Sequence, residues 1–220
     1  MWHATADLDE IEARTLELNS VATLAWEHLV LVVISAFLVI ATAIPLGIVL
    51  TRQSTQFLAP VVTGIANIGQ AAPVVGVIVL LAIWLGFGTP VAILGLWFYA
   101  FLPVLANVIA GLRGVDKQLI EAAHGLSMSP MQVLAKVELP LALPVIMTGV
   151  RTSLVLLVGA GAFATFIDAG GLGGLITSGI NLYRTPILVS GAVLIAALAL
   201  AVEWVGRVLE LAFTPKGMIK

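Results

Sequence analysis

The chain contains five long apolar stretches, each close to the length that a helix needs to cross a bilayer. A transmembrane helix takes roughly 20 residues, because the hydrocarbon core is about 30 Å thick. No water is available there to satisfy backbone polar groups, so stretches of this length form helices. The sequence therefore predicts an all-α membrane protein with a five-helix bundle, with spans at approximately Leu29–Leu50, Val61–Leu85, Val91–Leu112, Leu141–Ile167 and Ile187–Phe213.

Composition supports a membrane protein and excludes several other classes. The 220 residues are 60% hydrophobic and 10% charged, and the mean hydropathy is +1.14, far from the values of a soluble domain. The absence of cysteine excludes disulfides and thiolate metal sites. A net charge of -2, without a dense run of Lys or Arg, argues against binding to nucleic acid.

The basic residues indicate how the chain is oriented. Five spans place the termini on opposite sides, and by the positive-inside rule the side richer in Lys and Arg is cytoplasmic. We therefore expect an extracytoplasmic, polar and amphipathic segment at 1–24, with no cleaved signal, and a cytoplasmic tail at 214–220. The residues assigned to the cytoplasmic side are Arg52, Arg113, Lys117, Lys136, Arg207, Lys216 and Lys220, against Arg14 and Arg184 on the other side.

The longest polar interruption runs from residue 113 to residue 140. Apolar residues at three- and four-residue spacing, among them Leu119 and Leu126, predict a first short helix. Ser129 before Pro130, with Gln132 three positions on, predicts a capping box that starts a second helix. We expect Leu139-Pro140 to end this pair of helices, which would lie across the end of the bundle. Amphipathicity alone leaves open whether the pair docks a partner or simply connects two spans.

The residue order in this interruption resembles the "EAA" loop of permease subunits of type I bacterial ABC importers. In that family the loop is the coupling helix, which sits in a groove of a cytoplasmic ATPase. The family pattern has Gly six residues after Glu, where this chain has Ser127, while Gly125 lies two positions earlier. The resemblance implies ATPase-coupling roles for Glu121, Ala122, Ala123, Gly125, Ser127, Leu139 and Pro140.

Other candidate site residues lie in the second span and before the fourth span ends. Thr63, Asn67 and Gln70 share a helical face close to Pro73, which favours either lining of a pathway or interhelical hydrogen bonds. Residues 66–73 resemble the equivalent span of osmoprotectant importer permeases. Phe163 and Phe166 are also predicted to line the translocation pathway.

A glycine-rich segment follows the fourth span. Gly170, Gly171, Gly173 and Gly174 permit positive φ angles and close backbone approach, and we expect a short helix after them. The segment lacks the Lys-Ser/Thr of a P-loop, so nucleotide binding is excluded here. It resembles the Gly-Gly-Leu-Gly segment of osmoprotectant and methionine importers, which lies over the outer mouth near the binding-protein docking surface. We interpret Asp168 as a solvated N-cap in preference to a cation-recognition residue.

Few ionisable or aromatic residues elsewhere suggest chemistry. Arg151, near the start of the fourth span, is expected to reach the inner headgroups or to pair within the bundle. Trp26 and Trp84 are interpreted as membrane-interface anchors. No Asp–His–Glu relay runs through the spans, which argues against a proton-coupled carrier.

The resemblance covers about residues 26–215, and residues 137–152 look like the permease of glycine betaine, carnitine and choline importers. It implies a type I permease domain at 25–213 in a bacterial or archaeal cytoplasmic membrane, without catalytic residues, metal or cofactor of its own. The implied partners are a second permease copy or a paralogue, two ATP-binding subunits that hold ATP and Mg, an extracytoplasmic binding protein and the lipid bilayer, with no nucleic acid.

Several alternatives stay open at this stage. Methionine or another small zwitterion or trimethylated amine would need only small changes in the same kind of permease. A stand-alone channel or secondary carrier with an incidental amphipathic loop is a different class; an inverted repeat or an intramembrane ion relay would favour it, and neither is found. A membrane scaffold that moves nothing is the third possibility.

Overall fold

A computed structural model of the protein describes residues 9–213, and these are almost entirely helical. The chain starts with helix α1, Glu10–Thr15, which opens on a capping box. Asp9 accepts hydrogen bonds from the amides of Ile11 and Glu12 at 3.0 and 2.9 Å, and Glu12 accepts one from the amide of Asp9 at 3.1 Å. The predicted N-terminal segment is therefore helical from residue 10. Its residues 1–8, and the predicted tail at 214–220, lie outside the described residues.

The remaining helices agree with the predicted all-α class. Short 3₁₀ turns at Gln56–Leu58 and Ala162–Ile167 and a π turn at Leu134–Glu138 connect some of them. In chain order they are α2 (Leu18–Thr51), α3 (Ala59–Ala71), α4 (Val74–Leu85), α5 (Thr89–Arg113), α6 (Lys117–Gly125), α7 (Pro130–Val133), α8 (Leu139–Gly161), α9 (Gly173–Asn181) and α10 (Thr185–Phe213).

Four helical segments of the described chain are long and apolar enough to cross a membrane. They contain α2, α5, α8 and α10, and each overlaps one predicted span. The first begins at Leu18, well before the predicted Leu29, because no proline or glycine interrupts residues 18–29. A fifth span exists only if α3 and α4 count together as one.

The predicted second span, Val61–Leu85, is not one straight helix. It is divided into α3 and α4 at residues 72–73, and the chain turns by 98° at this break. Pro73 is the residue immediately before α4. Proline has no amide hydrogen, and the amides at the start of a helix have no acceptor within the helix, so α4 loses no hydrogen bond at this position. The prolines at 45, 103 and 144, by contrast, lie inside continuous helices, which membrane spans tolerate because neighbouring groups satisfy the freed carbonyls.

The helices contribute to two compact units, which we describe one at a time. The first unit comprises the described residues 9–36, 72–97 and 155–201. Its core consists of large aliphatic side chains that are less than 2% exposed: Leu31, Ile78, Leu96, Leu157, Ile167, Leu172, Leu175 and Ile187.

The second unit comprises the described residues 37–71, 98–154 and 202–213. Here helices approach closely at small residues. A Cβ placed on Gly47 would lie 2.5 Å from Val108, and one placed on Gly149 would lie 2.6 Å from the carbonyl oxygen of Pro103. Small residues let helix backbones pack closely in a membrane, so these glycines determine how α2 and α8 meet α5 in this unit.

Candidate functional site

The first helix of the polar segment, α6, is capped at both ends. Asp116 accepts a hydrogen bond from the amide of Gln118 at 2.8 Å and caps the N-terminus. At the other end the amide of Ser127 donates to the carbonyl of His124 at 2.9 Å, and the amide of Met128 donates to that of Ala123 at 3.2 Å. These two bonds form a Schellman motif, which ends the helix sharply.

Ser127 provides the left-handed residue that this motif requires. Its φ is 60°, a conformation that glycine adopts more easily than any other residue. Gly125, in contrast, is part of α6 and has no atom within 4 Å of where a Cβ would lie. Ser127 therefore occupies the turn position of the expected glycine, and Gly125 does not substitute for it.

The second helix starts as the sequence predicts. The amide of Ser129 donates to Oε1 of Gln132 at 2.8 Å, the amide of Gln132 donates to Oγ of Ser129 at 3.4 Å, and Pro130 is the first helical residue. The capping box is confirmed.

The expectation that Leu139-Pro140 ends the helix pair is wrong. The helix continues from Pro130 to Ile167 through the π turn, and Leu139 is the first residue of α8. In the π turn the amide of Leu139 bonds to the carbonyl of Leu134, five residues back. This change of hydrogen-bond register falls just before Pro140, where one donor is missing in any case. The second helix of the polar segment is thus one rigid piece with the span that follows it.

An ion pair ties this π turn to the end of α2. Arg52 donates to Glu138 through two nitrogens, Nη2 to Oε2 at 2.8 Å and Nη1 to Oε1 at 3.4 Å. Arg52 also donates from Nε to the carbonyl of Ile48 at 3.3 Å, which helps to fix the guanidinium. Glu138 is only 8% exposed, so the two-point contact holds a nearly buried carboxylate. The sequence did not indicate this pair, because its members are 86 positions apart.

The polar segment presents an exposed surface of mixed character. Glu121 and Ala122 are exposed, whereas Ala123 is buried against the rest of the second unit. Three apolar side chains of the same segment are exposed as well. They are Leu119, Leu126 and Met131, at 48, 78 and 69% exposure. We call Leu119, Glu121, Ala122, Leu126 and Met131 the docking surface, after the ATPase-docking role that we propose for them below.

Arg151 pairs within the second unit. Its Nε lies 3.2 Å from Oε2 of Glu210 on α10, and both side chains are largely shielded. Of the two expectations for Arg151, pairing within the bundle is therefore confirmed, and the cation is neutralised by a carboxylate.

The polar face of α3 forms part of its hydrogen bonds within its own helix. Thr63 Oγ1 donates to the carbonyl of Ala59 at 2.7 Å, and Asn67 Nδ2 donates to that of Thr63 at 2.9 Å. Asn67 is exposed and Gln70 is partly exposed. Polar groups of the predicted stripe thus remain accessible, which suits either a pathway or a partner helix, and the pathway role of these residues and Pro73 stays a prediction.

The glycine-rich segment folds against α2 in the first unit. Asp168, Gly170 and Gly171 have φ angles of 58°, 77° and 89°. The predicted short helix is present as α9, which begins at Gly173. Gly173 itself packs directly on the backbone of Ala162, and Gly174 has more room, with Thr165 Oγ1 3.7 Å from where its Cβ would lie.

The interpretation of Asp168 as an N-cap is wrong. Asp168 ends the 3₁₀ turn Ala162–Ile167, and the residue before α9 is Leu172, which forms no side-chain cap. The amides of Asp168 and Ala169 bond back to the carbonyls of Thr165 and Ala164 at 3.3 and 3.1 Å. Asp168 therefore closes a turn with its backbone, and its exposed carboxylate is free for another role.

Two neighbours of this segment, Glu27 and His28, were missed at the sequence level. The amide of Gly171 donates to Oε2 of Glu27 at 3.0 Å, and the fully buried His28 donates from Nε2 to the carbonyl of Val158 at 2.9 Å. A Cβ at Gly171 would lie 3.1 Å from the His28 ring. The available signal was a Glu-His dipeptide at the edge of an otherwise apolar span, where polar groups are costly unless they have a role.

Phe163 and Phe166 lie together at the mouth of an apolar cavity of about 540 Å³ in the first unit. Their ring centroids are 6.2 Å apart and their planes differ by 17°. The other lining residues come from α8, α9 and α10 and include Gly159, Ile176, Ile195 and Ala199. The cavity offers apolar contact and aromatic rings, with almost no polar surface.

The described chain has several membrane-spanning helices and a capped, surface-exposed helical segment between two of them. Membrane subunits of transporters are built in this way. Residues 43–214 match the family described as "Binding-protein-dependent transport system inner membrane component". The chain belongs to this family, and it is a permease subunit of an ABC importer.

Individual relatives match over most of their length. The chain is 42% identical over 193 residues to the choline transport system permease protein OpuBB of Bacillus subtilis, covering 88% of each chain. It is 41% identical to the glycine betaine/carnitine/choline transport system permease protein OpuCB of the same organism, with 87% of this chain and 88% of that protein covered. The osmoprotectant import permease protein OsmY of Salmonella typhimurium is 37% identical, with 91 and 85% covered.

A solved structure confirms the fold. The inward-facing MetNI methionine ABC transporter contains a chain that is 25% identical and superposes with a TM-score of 0.80, covering 94% of this chain and all of that one. The type I permease fold predicted from the sequence is thereby confirmed.

Proposed function

We propose that this permease imports trimethylammonium osmoprotectants such as glycine betaine, carnitine and choline. The observation that carries the proposal is the set of relatives at 37 to 42% identity, whose names specify choline, carnitine, glycine betaine or osmoprotectants. The permease would work with a second copy or a paralogue, with two ATP-binding subunits that hold ATP and Mg, and with an extracytoplasmic binding protein. It would sit in a bacterial or archaeal cytoplasmic membrane.

The docking surface is the proposed contact with the ATPase. Its exposed Leu119, Leu126 and Met131 supply apolar area, and Glu121 supplies a charge for orientation. Since the second helix of the polar segment is continuous with α8, a push on α7 moves this span directly. Alternating access then follows: closure of the ATPase dimer draws the two docking surfaces together and opens the pathway to the outside.

The distribution of charge supports an outside N-terminus. In the described residues the first unit has six carboxylates against Arg14 and Arg184, whereas all other described Lys and Arg belong to the second unit. By the positive-inside rule these Lys and Arg residues lie at the cytoplasmic side of the membrane. We propose that the glycine-rich segment faces the binding protein and that Phe163 and Phe166 belong to the pathway.

The solute is tested by uptake into proteoliposomes that contain the permease, its ATPase and its binding protein. We expect ATP-dependent uptake of at least one of labelled choline, carnitine and glycine betaine, in competition with the other two. Methionine is the second candidate, because the methionine transporter MetNI shares the fold at a TM-score of 0.80. Uptake of methionine without uptake of any trimethylammonium solute would overturn the proposal.

A further inference from the structure

A second cavity of the first unit lies beside the glycine-rich segment. It has a volume of about 340 Å³. Its polar lining consists of Trp26 and Glu27 from α2, Thr89 at the start of α5, and Asp168 and Gly170 from the glycine-rich segment. Three stretches of chain that are far apart in sequence thus converge on a concave site of small-molecule size.

The cavity contains two carboxylates and no cation to balance them. Within the described part of the chain, no Lys, Arg or His forms an ion pair with Glu27 or Asp168. The two arginines of the first unit do not line the cavity, and Arg184 pairs with Asp9 instead. The local field is therefore negative, and a concave wall concentrates such a field.

The backbone of the segment holds the carboxylate of Glu27 and fixes the main chain at Asp168. Glu27 Oε2 accepts the amide of Gly171 at 3.0 Å, and a Cβ at Gly170 would collide with the same oxygen. Asp168 is fixed in the left-handed region by the turn that it closes. A site with charges already in position loses less entropy when a ligand binds.

Trp26 gives the cavity an aromatic ring beside its two carboxylates. Its side chain is 66% exposed, and indole is the aromatic ring that attracts a cation most strongly. A divalent metal would need more oxygen ligands, and no group of three or more His, Asp or Glu residues that could hold a metal occurs among residues 9–213. A quaternary ammonium group donates no hydrogen bonds, so an indole face and carboxylates nearby satisfy it fully.

We propose that the cavity of Trp26, Glu27 and Asp168 is a low-affinity binding site for a small quaternary ammonium cation on the permease itself. The inference rests on the proposed function, since it gives that solute class a site outside the binding protein. It also replaces the interpretation of Trp26 as a membrane anchor. A site of this kind would hold the cationic head of a solute as it leaves the binding protein.

The test uses the permease–ATPase complex in nanodiscs without binding protein. Binding of choline is followed by saturation-transfer NMR, and 3,3-dimethylbutan-1-ol, the uncharged carbon analogue of choline, serves as the comparison ligand. We expect saturable binding of choline and none of the analogue. Trp26→Leu and Asp168→Asn should each weaken choline binding about two- to fivefold, because both side chains are exposed to solvent, which weakens cation–π and charge contacts. Asn is chosen because it tolerates the left-handed conformation of residue 168.

Two matched variants serve as controls. Trp84→Leu removes an exposed tryptophan of the first unit that does not line the cavity, and Glu17→Gln removes an exposed carboxylate of the same unit. Both should bind choline like the unmodified complex. Equal weakening by the controls would show a general surface effect and overturn the proposal.

The remaining outcomes are also decisive. If choline does not bind while the complex with binding protein still imports it, the inference fails and the proposed function stands. If Asp168→Asn instead weakens only the association of the binding protein, in a salt-dependent manner, the cavity receives a basic side chain of that protein and the inference is overturned. Absence of uptake for every trimethylammonium solute refutes the proposed function on its own.

Discussion

Ser127 adopts a backbone conformation that costs an L-residue about 1 kcal/mol or more and costs glycine nothing. The surrounding Schellman bonds enforce this conformation, because Met128 and Ser127 both donate back into α6. These backbone hydrogen bonds therefore fix the turn between the two helices of the docking surface, although residue 127 is not glycine. Ser127 and Gly171, which have positive φ angles, should therefore respond to substitution differently from the helical glycines Gly125 and Gly159.

Replacement of Ser127 by glycine should stabilise the polar segment. Ser127→Gly removes the cost of the left-handed conformation, so local protection against hydrogen exchange at residues 126–128 should rise by about 1 kcal/mol. Gly125→Ala is the matched control: this site is helical and open, and the change should stabilise α6 through helix propensity alone. Lower protection in Ser127→Gly would show that the hydroxyl has a role that the structure does not reveal.

Replacement of Gly171 by alanine should destabilise the first unit. The φ of 89° disfavours any side chain, and the new methyl group would lie 3.1 Å from the His28 ring. We expect a loss of at least about 1 kcal/mol, measured as a lower melting temperature of the purified protein. Gly159→Ala, at a helical site with no atom within 4 Å of the added methyl group, provides the control and should not lower the melting temperature, because alanine is the better helix former. Equal melting temperatures for both variants would contradict the packing described for the segment.

At the scale of elements, α7 and α8 form one continuous helix. The π turn Leu134–Glu138 joins α7 to α8 without a break, and Arg52 binds Glu138 at this turn. The end of α2 is thus fixed to the point where the polar segment becomes a span. The junction therefore links a displacement of α7 to both α8 and the end of α2.

The ion pair between Arg52 and Glu138 should therefore affect coupling more than folding. Arg52→Glu and Glu138→Arg should each lower ATP-driven uptake, and the double variant should recover part of it by restoring the pair. Because Arg52 is 37% exposed, we expect an interaction of only about 1 kcal/mol in a double-mutant cycle on thermal unfolding. Arg207→Glu, an exposed arginine of the same unit, is the control. Additive effects of the two variants would show that the pair does not act as a unit.

Charge reversal at Glu121 should uncouple transport without unfolding the protein. Glu121→Lys places a cation on the exposed docking surface, so association with the ATPase and uptake should fall at least about tenfold, since like-charge contacts cost several kcal/mol. Glu121→Gln should have a smaller effect, because it removes the charge without reversing it. The melting temperature of the isolated permease should be the same in all three proteins. Normal ATPase association and uptake in Glu121→Lys would refute the docking role.

At the scale of the whole molecule, local sequence signals predicted local structure well. The long apolar stretches and the capping box of Ser129 and Gln132 are confirmed, since each depends on residues close together in the chain. The break at Pro73 and the helix that continues through Pro140 were not predicted. A proline ends a helix in one context and is tolerated in another, and the choice depends on neighbouring elements.

Contacts between distant residues could not be predicted from the sequence. Glu27 meets Gly171 across 144 positions, and Arg52 meets Glu138 across 86, so no periodicity or spacing reveals either pair. The same limit applies to the cavity beside Asp168, whose lining comes from three separate stretches. The resemblance to a permease family indicated where partners would meet the chain, and the structure added which side chains are available there.

The central proposal is that residues 113–140 contact the ATPase and that the first unit, with its glycine-rich segment, contacts the binding protein. Site-specific crosslinking tests it directly. The chain has no cysteine, so single cysteines can be introduced without background. Met131→Cys lies on the docking surface, and Tyr183→Cys replaces a side chain of the first unit that is 94% exposed. In the assembled importer we predict that the first crosslinks to the ATPase only and the second to the binding protein only. A crosslink between Tyr183→Cys and the ATPase, or none from Met131→Cys, would contradict the account.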